Sequence, residues 1–178
     1  LTKVRQIIAN EKITHTRQII NDILEQDKKV IVFTNFTAPL MELHSHYPKN
    51  SVVLHGQMSK EDRQKSVDEF QNNSEVKIFI SNLKAGGVGI TLTSAEAVIM
   101  NDLSFVPSDH SQAEDRAFRI GQKKNVSCFY PMFDNTLERI IYNILQKKKN
   151  VIDTVMGDVS TEPEINIMEE LFNELHNI

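Results

Sequence analysis

Several residue types and patterns are scarce in this chain, and each shortage excludes a class of protein. Cys128 is the one cysteine in 178 residues, so an internal disulfide and a zinc site built from thiolates are excluded. These residues contain no apolar run of about eighteen and no signal-peptide pattern, which predicts a soluble, intracellular protein without a membrane partner. The first residue is Leu1 rather than methionine, which indicates a piece of a longer polypeptide. The hydrophobic content of 40% is that of one globular domain.

An excess of positive charge is also lacking, and the charge is uneven along the chain. The net charge is −4, from 20 basic and 24 acidic residues. Six of the acidic residues, and no lysine or arginine, lie between Asp158 and Ile178, so residues 1–157 hold 20 basic against 18 acidic residues, a formal charge of +2. Because this body is nearly neutral, any contact with nucleic acid has to come from a local basic patch.

The common catalytic constellations are missing as well. The spacing supports neither a Ser–His–Asp arrangement nor a convincing pair of carboxylates. His44 and His46 lie near a predicted helix end without a third ligand at suitable spacing, so no metal site is predicted. The sequence also lacks a Walker A loop, because no Gly-Lys-Ser/Thr follows a glycine-rich loop at the required spacing.

What the sequence does contain is a regular alternation of strand and helix patterns. Short, mostly continuous apolar runs predict five strands, at Val30–Phe33, Val52–Leu54, Val76–Ile80, Ala97–Met100 and Val126–Tyr130. Amphipathic patterns predict helices at Thr16–Glu25, Ala38–Ser45, Lys60–Gln71 after a Ser59 cap, and Leu137–Lys149. The alternation predicts an α/β fold: an open, mainly parallel sheet with helices on both faces and further helices at the C-terminal end.

The chain divides by pattern into a body and a tail. We expect residues 1–157 to form one lobe, whose first ~28 residues are a leading helical segment, and residues 158–178 to form an acidic amphipathic helical tail. The tail carries an apolar stripe from Ile165 to Ile178. Two interpretations stay open: the stripe folds back on the body, or the 165–178 helix docks on another domain or a protein partner.

The most informative segment runs from Gln112 to Gln122. The pattern predicts a helix that begins near Ser108 or Asp109, just after Pro107, and continues to Ile120. Such a helix gathers four polar side chains within an arc of about 100°: Gln112, Asp115, Arg116 and Arg119. It places three apolar side chains on another side, where they can pack on a core: Ala113, Ala117 and Ile120. Guanidinium groups fork onto phosphate oxygens, so the polar stripe suits a polyanion; the alternative is a solvated helix face with salt-bridged arginines.

Polar and glycine-rich segments follow two of the predicted strands. In an open α/β sheet, ligands meet the loops at the carboxyl ends of the strands. Thr34 and Asn35 follow the first strand, and the segment from Ser81 to Thr93, which includes Lys84, follows the third. Its glycines, Gly86, Gly87 and Gly89, permit close approach of the backbone to a ligand, and a helical turn after them would direct N–H groups at an anion. Helix capping and a plain tight turn are the ordinary alternatives.

Taken in order, these segments resemble the second RecA-like lobe of superfamily-two helicases, specifically of the Swi/Snf-type double-stranded DNA translocases. The resemblance runs from about Lys29 to Lys149. VIVFTNF is similar to the family's fourth motif, LHGQMSKEDRQKSVDEF to the segment after it, ISNLKAGGVGITLTSAEAVIMND to the fifth, QAEDRAFRIGQ to the sixth, and NTLERII to the helix that follows. Several motifs in the family's order are more specific than any one of them. Two departures occur: the family often has Asn at Thr91, and Trp-Asn-Pro where Phe105-Val106-Pro107 stands.

The resemblance implies a RecA-like fold and half of a motor site. ATP with Mg²⁺ would bind between two lobes, held mainly by a first lobe whose Walker A lysine and Asp-Glu box do not appear in these residues. Arg116 and Arg119 would be catalytic, as arginine fingers. The nucleotide would be lined by Gly87, Gly89, Gln112 and Asp115. The DNA backbone would be faced by Thr34, Asn35, Ser81 and Lys84.

The function expected from the resemblance is therefore part of a DNA-dependent ATPase. Its partners would be double-stranded DNA and the N-terminal RecA-like lobe of the same polypeptide, in the cytoplasm or nucleoid of a bacterium or phage host, or in a eukaryotic nucleus. We expect the chain alone to be inactive as an ATPase. Two alternatives stay open: a stand-alone lobe that acts as a nucleic-acid-binding or protein-binding regulatory module, and an RNA-directed or strand-separating helicase lobe.

Overall fold

Helices and strands alternate along almost the whole chain, for which a computed structural model describes residues 1–85, 89–155 and 169–173. Two helices come first, α1 (Thr2–Glu11) and α2 (Ile13–Glu25). The elements that follow are β1 (Val30–Thr34), α3 (Thr37–His46), β2 (Ser51–Leu54), α4 (Lys60–Asn72), β3 (Ile78–Asn82), β4 (Ala97–Met100), α5 (Pro107–Glu114), β5 (Ser127–Phe129) and α6 (Leu137–Val155). Within the described ranges, no helix has both the length and the apolar character that crossing a bilayer requires.

The five strands form one sheet in the order β2-β3-β1-β4-β5, and its four strand pairings are parallel. β1 is central, with Val30 opposite Ile78 of β3 and Ala97 of β4. The predicted open parallel sheet is confirmed. This order brings the carboxyl ends of β3, β1 and β4 side by side at one edge.

Both faces of the sheet are covered, which explains the continuous apolar runs. Ile31 and Phe33 of β1 pack in one core cluster, together with Val67 and Phe70 of α4. Val30 and Val32 pack in a second cluster on the other face, with the apolar side chains of α2 and α3. Helices therefore lie on both faces, as predicted.

The fifth strand is more exposed than the other four and lies at one edge of the sheet. β5 pairs with β4 alone, and Ser127 and Phe129 are exposed. The predicted strand from Val126 to Tyr130 forms in a shorter version, and the expectation that it is buried on both faces is wrong. β2, at the opposite edge, is covered by α3 and α4 and stays more buried, so the exposure of β5 reflects a missing strand neighbour together with less cover from helices.

The leading helices are attached to the body by buried polar contacts. Lys12 Nζ lies 2.7 Å from Glu138 Oε1 of α6 and donates to the carbonyl of Pro131 at 3.1 Å. Thr16 donates from its hydroxyl to Asn101 Oδ1, just after β4, at 2.6 Å. The junction of α1 and α2 therefore lies at the sheet edge where the strands end, while the apolar side of α2 covers one face of the sheet. The division of the chain at 157/158 stays a prediction, since residues 156–168 lie outside the described ranges.

A third apolar cluster lies between this edge and α6. It contains Leu103, Phe105, Ile141, Ile144, Leu145 and Leu171. Leu171 belongs to the predicted tail, in a helical segment at 169–173, and is 1% exposed. It packs on the body as the fold-back interpretation expects. The other members of the stripe, apart from the half-exposed Phe172, lie outside the described residues: Ile165, Met168, Leu175 and Ile178.

Candidate functional site

The carboxyl ends of the three central strands form a connected polar edge. Thr34 at the end of β1 is opposite Asn82 of β3. The backbone N–H of Leu83 donates to the carbonyl of Thr34 at 3.0 Å, and that of Asn101 donates to the carbonyl of Phe33 at 2.8 Å. The loops after the three strands therefore leave the sheet with fixed relative positions.

Asp102, directly after β4, organises the turn after β1. Its carboxylate is 1% exposed and accepts hydrogen bonds from the Thr34 hydroxyl, the Asn35 backbone N–H at 2.9 Å and Asn35 Nδ2 at 2.6 Å. Asn35 Nδ2 also donates to the carbonyl of Leu103 at 3.1 Å. Asp102 is not among the candidate residues that the sequence motifs single out. The rule that singled out the residues after β1 applies equally here, because a polar pair follows an apolar strand at the same sheet edge.

The four residues predicted to face DNA are not equally accessible. Thr34 and Ser81 are fully buried, and the Ser81 hydroxyl donates to the carbonyl of Asn82 at 3.0 Å. Asn35 is half-buried and Lys84 is exposed. Lys84 and Asn35 can therefore meet a ligand directly, whereas Thr34 and Ser81 can act on it through the backbone that they hold.

A cleft of about 180 Å³ opens beside this edge. It is lined by Phe33, Leu83, Lys84, Asp109, Gln112, Ala113 and Arg116. Lys84 comes from the segment predicted to face DNA, and Gln112 and Arg116 come from the one predicted to face a nucleotide. The structure thus brings both predicted surfaces to one cleft, with an apolar floor and side chains of both charges at its rim.

The predicted helix through Ile120 is wrong in its C-terminal half. α5 begins with Pro107 in its first turn, close to the predicted start, but it ends at Glu114. Residues 115–122, which we call the arginine turn, form successive turns. Gln112 therefore lies on α5, whereas Asp115, Arg116 and Arg119 lie beyond it, and the proposed helical stripe does not exist.

Long-range hydrogen bonds explain why the helix stops. The carbonyl of Arg116 accepts from the backbone N–H of Leu92 at 2.9 Å. Gln122 Nε2 donates to the carbonyl of Ala95 at 2.9 Å and to that of Ala117 at 3.2 Å. Gly121 has φ +106°, a left-handed conformation that L side chains rarely adopt. The arginine turn is thus attached to the 92–95 segment before β4 rather than continued as a helix.

The two arginines occupy different environments. Arg116 is 6% exposed, and its Nη1 donates weakly to the carbonyl of Ile90 at 3.5 Å. Burial lowers the pKa of the Arg116 guanidinium, the charge of Arg119 lowers it further, and Asp115 opposes both. The group still stays charged at neutral pH. Arg119 is exposed and donates from Nη1 to the Thr91 hydroxyl at 3.0 Å, so its partner is a residue at which the chain departs from the family pattern.

The apolar side of the predicted stripe is only partly buried. Ala113 and Ala117 are 5% and 0% exposed, as predicted. Ile120, by contrast, is fully exposed at 105%, and Phe118 is 49% exposed. The prediction for Ile120 is wrong because the chain leaves the helix before reaching it.

The remaining predicted nucleotide residues are placed as follows. Gly89 is exposed with φ +69°, and Gln112 and Asp115 are exposed on α5 and the arginine turn. Gly87 lies outside the described residues. The helical turn predicted after the glycines is wrong, because residues 90–92 have no regular structure and residues 93–94 form a plain turn. In the part of the chain that the structure describes, no three His, Cys, Asp or Glu side chains are grouped so as to hold a metal ion.

Comparison with known proteins places these features in a family. The helicase conserved C-terminal domain matches residues 11–121. The SWI/SNF-related matrix-associated actin-dependent regulator of chromatin subfamily A-like protein 1 of Drosophila melanogaster is 37% identical over 143 residues, which are 76% of this chain and 18% of that protein. The chain spans less than a fifth of the length of the curated relatives that it matches.

Solved structures show the same architecture. The C-terminal part of the Fun30 ATPase domain matches with a TM-score of 0.73 at 28% identity, over 93% of this chain and 54% of that one. The Sulfolobus solfataricus SWI2/SNF2 ATPase core in complex with dsDNA matches with a TM-score of 0.72 at 27% identity, over 96% and 39% of the two chains. The chain therefore belongs to the helicase conserved C-terminal domain family, as a RecA-like lobe of the Swi/Snf type.

Proposed function

We propose that this chain is the second motor lobe of an ATP-dependent, Swi/Snf-type DNA translocase. The observation that carries the proposal is the placement of the two ends of the loop after β3. At one end, Lys84 lines the cleft beside Gln112. At the other end, Thr91 and Leu92 are hydrogen-bonded to the arginine turn. The two described ends of this loop thus lie beside the residues proposed for DNA and those proposed for the nucleotide, which supports the proposal because a motor has to couple the two.

On the nucleotide side, Arg116 and Arg119 act as arginine fingers on phosphates held by the first lobe. Permanently charged, forked donors fit the charge that develops on a transferring phosphoryl group. Such a finger contributes about 10³–10⁵ in rate, or roughly 4–7 kcal/mol of barrier. Gln112, Asp115 and Gly89 line the same side, and Gly87 is included on the family resemblance alone. The resemblance assigns the Mg²⁺ that accompanies ATP to the first lobe.

On the DNA side, Lys84 contacts the phosphate backbone with its positive charge. Asn35 faces the same side but donates from its backbone N–H and its Nδ2 group to Asp102 and Leu103, so it orders the turn that faces DNA rather than donating to a phosphate. Thr34 and Ser81 support these contacts from inside the sheet edge. A solved relative with this fold is an ATPase core in complex with dsDNA, which supports duplex DNA as the partner.

The whole polypeptide would then be a DNA-dependent ATPase that acts where the cell keeps its DNA. Closure of the two lobes assembles the nucleotide site and opening releases products, so each cycle shifts one lobe along the strand. The 178-residue chain alone supplies one side of that site. We therefore expect it to hydrolyse no ATP, and DNA-stimulated turnover by the isolated chain would contradict this assignment.

The decisive experiment is Arg119→Ala in the parent polypeptide. DNA-stimulated ATPase activity should fall by at least about 10³, the contribution of an arginine finger, while the Kd for duplex DNA changes little. Arg139→Ala, which removes an exposed arginine on α6, is the matched control and should retain activity. Undiminished turnover by the Arg119 variant would refute the assignment. Stimulation by RNA or single strands in preference to duplex DNA would favour the helicase alternative.

A further inference from the structure

We infer that Phe118 and Ile120 form an apolar docking point for the first lobe, which seats the arginine turn when the two lobes close. The inference rests on the proposed function and deepens it, because it names the surface that brings Arg119 to its target. Phe118 and Ile120 belong neither to the core clusters nor to the lining of the cleft.

The exposure of these side chains is what needs an explanation. Ile120 is the most exposed of the large apolar side chains in the described ranges, at 105%. Phe118 lies two residues earlier and is 49% exposed. Isoleucine is among the most frequently buried residue types, and side chains of this size leave water favourably. Two such side chains on one short turn form an apolar surface whose removal from water by a partner is favourable.

The arginine turn holds these side chains in place. The backbone N–H of Gln122 donates to the carbonyl of Arg119 at 2.9 Å, and the side chain of Gln122 binds the carbonyls of Ala95 and Ala117. Ala117 is itself fully buried. Since the residues before and after Ile120 are fixed, the turn presents its apolar side chains at a defined position, as an interface requires.

The position of Arg119 identifies the occupant. Arg119 is exposed and lies between Phe118 and Ile120, and neighbouring Cα atoms are only about 3.8 Å apart. A surface that holds a phosphate within reach of Arg119 is therefore close enough to cover the side chains of Phe118 and Ile120. In the proposed function, that surface belongs to the first lobe. The solved ATPase core with dsDNA, of which this chain covers 39%, has ample further chain to supply such a lobe.

A crosslinking experiment tests the identity of the occupant directly. The parent polypeptide carries the photoreactive residue p-benzoylphenylalanine in place of Ile120 and is irradiated with duplex DNA, with and without a non-hydrolysable ATP analogue. We expect an intramolecular crosslink to the first lobe that increases with the analogue. A crosslink to a second copy or to another protein, or the absence of any nucleotide-dependent crosslink, would overturn the inference.

A kinetic experiment tests its contribution. Ile120→Ser in the parent polypeptide should lower DNA-stimulated kcat roughly tenfold to hundredfold, the factor that corresponds to burying one isoleucine side chain. The Kd for DNA and the thermal stability should stay unchanged, because the side chain touches neither the cleft nor the core. Ile7→Ser on α1, where Ile7 is 60% exposed, is the matched control and should retain full activity. Phe118→Ser should follow Ile120→Ser, with a smaller loss.

The two proposals fail in different ways. If Arg119→Ala abolishes turnover while Ile120→Ser retains it, the docking point is wrong and the motor function stands. If Arg119→Ala is also fully active, both are wrong. A loss of thermal stability in Ile120→Ser would show that Ile120 supports the fold of this lobe, which would also overturn the inference.

Discussion

The ion pair between Lys12 and Glu138 offers the sharpest test of how the leading helices are held on the lobe. The two side chains are 1% and 3% exposed, and Nζ lies 2.7 Å from Oε1. The second carboxylate oxygen of Glu138 is buried without a hydrogen-bond partner. Lys12→Met keeps most of the apolar stem and removes the charge together with two donated hydrogen bonds. The variant therefore leaves the buried Glu138 carboxylate without the cation that is hydrogen-bonded to it.

The magnitude follows from the geometry and the burial. At 2.7 Å and an effective dielectric constant of about 20, the attraction is about 6 kcal/mol. The cost of removing both charges from water offsets much of this in the native protein. Lys12→Met keeps the cost for Glu138 and removes the attraction, so the free energy of unfolding should fall by about 3–5 kcal/mol. The double variant Lys12→Met/Glu138→Leu removes both charges and should recover most of that loss.

The loss should also depend on pH. Burial raises the pKa of Glu138, and attraction to Lys12 opposes that shift. Without Lys12, the pKa of Glu138 in the folded state rises further above its value in the unfolded state, so the folded state binds the Glu138 proton more tightly. The deficit is therefore complete above the folded-state pKa and shrinks as the pH falls toward the unfolded-state pKa. Urea unfolding at pH 8 and pH 5 measures both the size and the direction.

An exposed ion pair provides the control. Lys124 Nζ lies 2.6 Å from Glu96 Oε1, but the Lys124 side chain is 62% exposed. Lys124→Met should lower the free energy of unfolding by less than about 1 kcal/mol, as is usual for exposed pairs. The reasoning is refuted if Lys12→Met costs no more than this control. It is also refuted if the double variant is no more stable than the single one, or if the deficit grows as the pH falls.

Three smaller changes test the loop after β3, the arginine turn and a helix cap. In the parent polypeptide, Lys84→Ala should reduce the slope of log K against log salt concentration for DNA binding by about one unit. The control Lys123→Ala should leave this slope unchanged. An unchanged slope in Lys84→Ala would show that Lys84 does not contact DNA. Gly121→Ala should cost about 1–3 kcal/mol in urea unfolding, because φ is +106° although an added Cβ meets no atom within 4 Å. Gly56→Ala has the same room without that φ, so an equal cost there would contradict the explanation. Ser59→Ala removes the hydrogen bond that its hydroxyl accepts at the start of α4 and should cost about 1 kcal/mol in a thermal melt; an unchanged melting temperature would argue against the cap.

The regular elements could be predicted because burial leaves a local pattern in the sequence: continuous apolar runs in the strands and helical spacing of apolar residues in the helices. The Ser59 cap is confirmed, and so is each predicted strand position to within two residues. β3 shows the limit of the apolar pattern, because the strand was predicted at 76–80 and forms at 78–82. Its parallel register with β1 continues past the apolar run, to Asn82 opposite Thr34. Polar strand ends of this kind follow from pairing, which a local apolar pattern does not record.

The way in which the fold arranges the candidate residues could not be predicted from the sequence. The arginine turn breaks the expected helix through contacts of Gln122 with Ala95, 27 residues away. Lys12 and Asp102 are charged and would be predicted to be exposed, but their partners are 126 and 67–68 residues distant. Such pairings are set by the tertiary fold. Local spacing does not record such pairings, so the sequence alone could not show how the fold combines the candidate residues.

Arg116 and Arg119 differ in how much side-chain conformational entropy each would lose on binding an anion. An arginine side chain carries about 2 kcal/mol of rotamer entropy, and burial of the Arg116 side chain removes most of it when the lobe folds. Arg119, on the surface, still has that freedom to lose when it engages an anion. An anion that meets the arginine turn therefore finds one guanidinium already ordered, and only the other has to be immobilised at each encounter. In the proposed function, Arg116 is therefore the half of an anion-binding pair that folding orders once, and Arg119 is the half that each binding event has to order again.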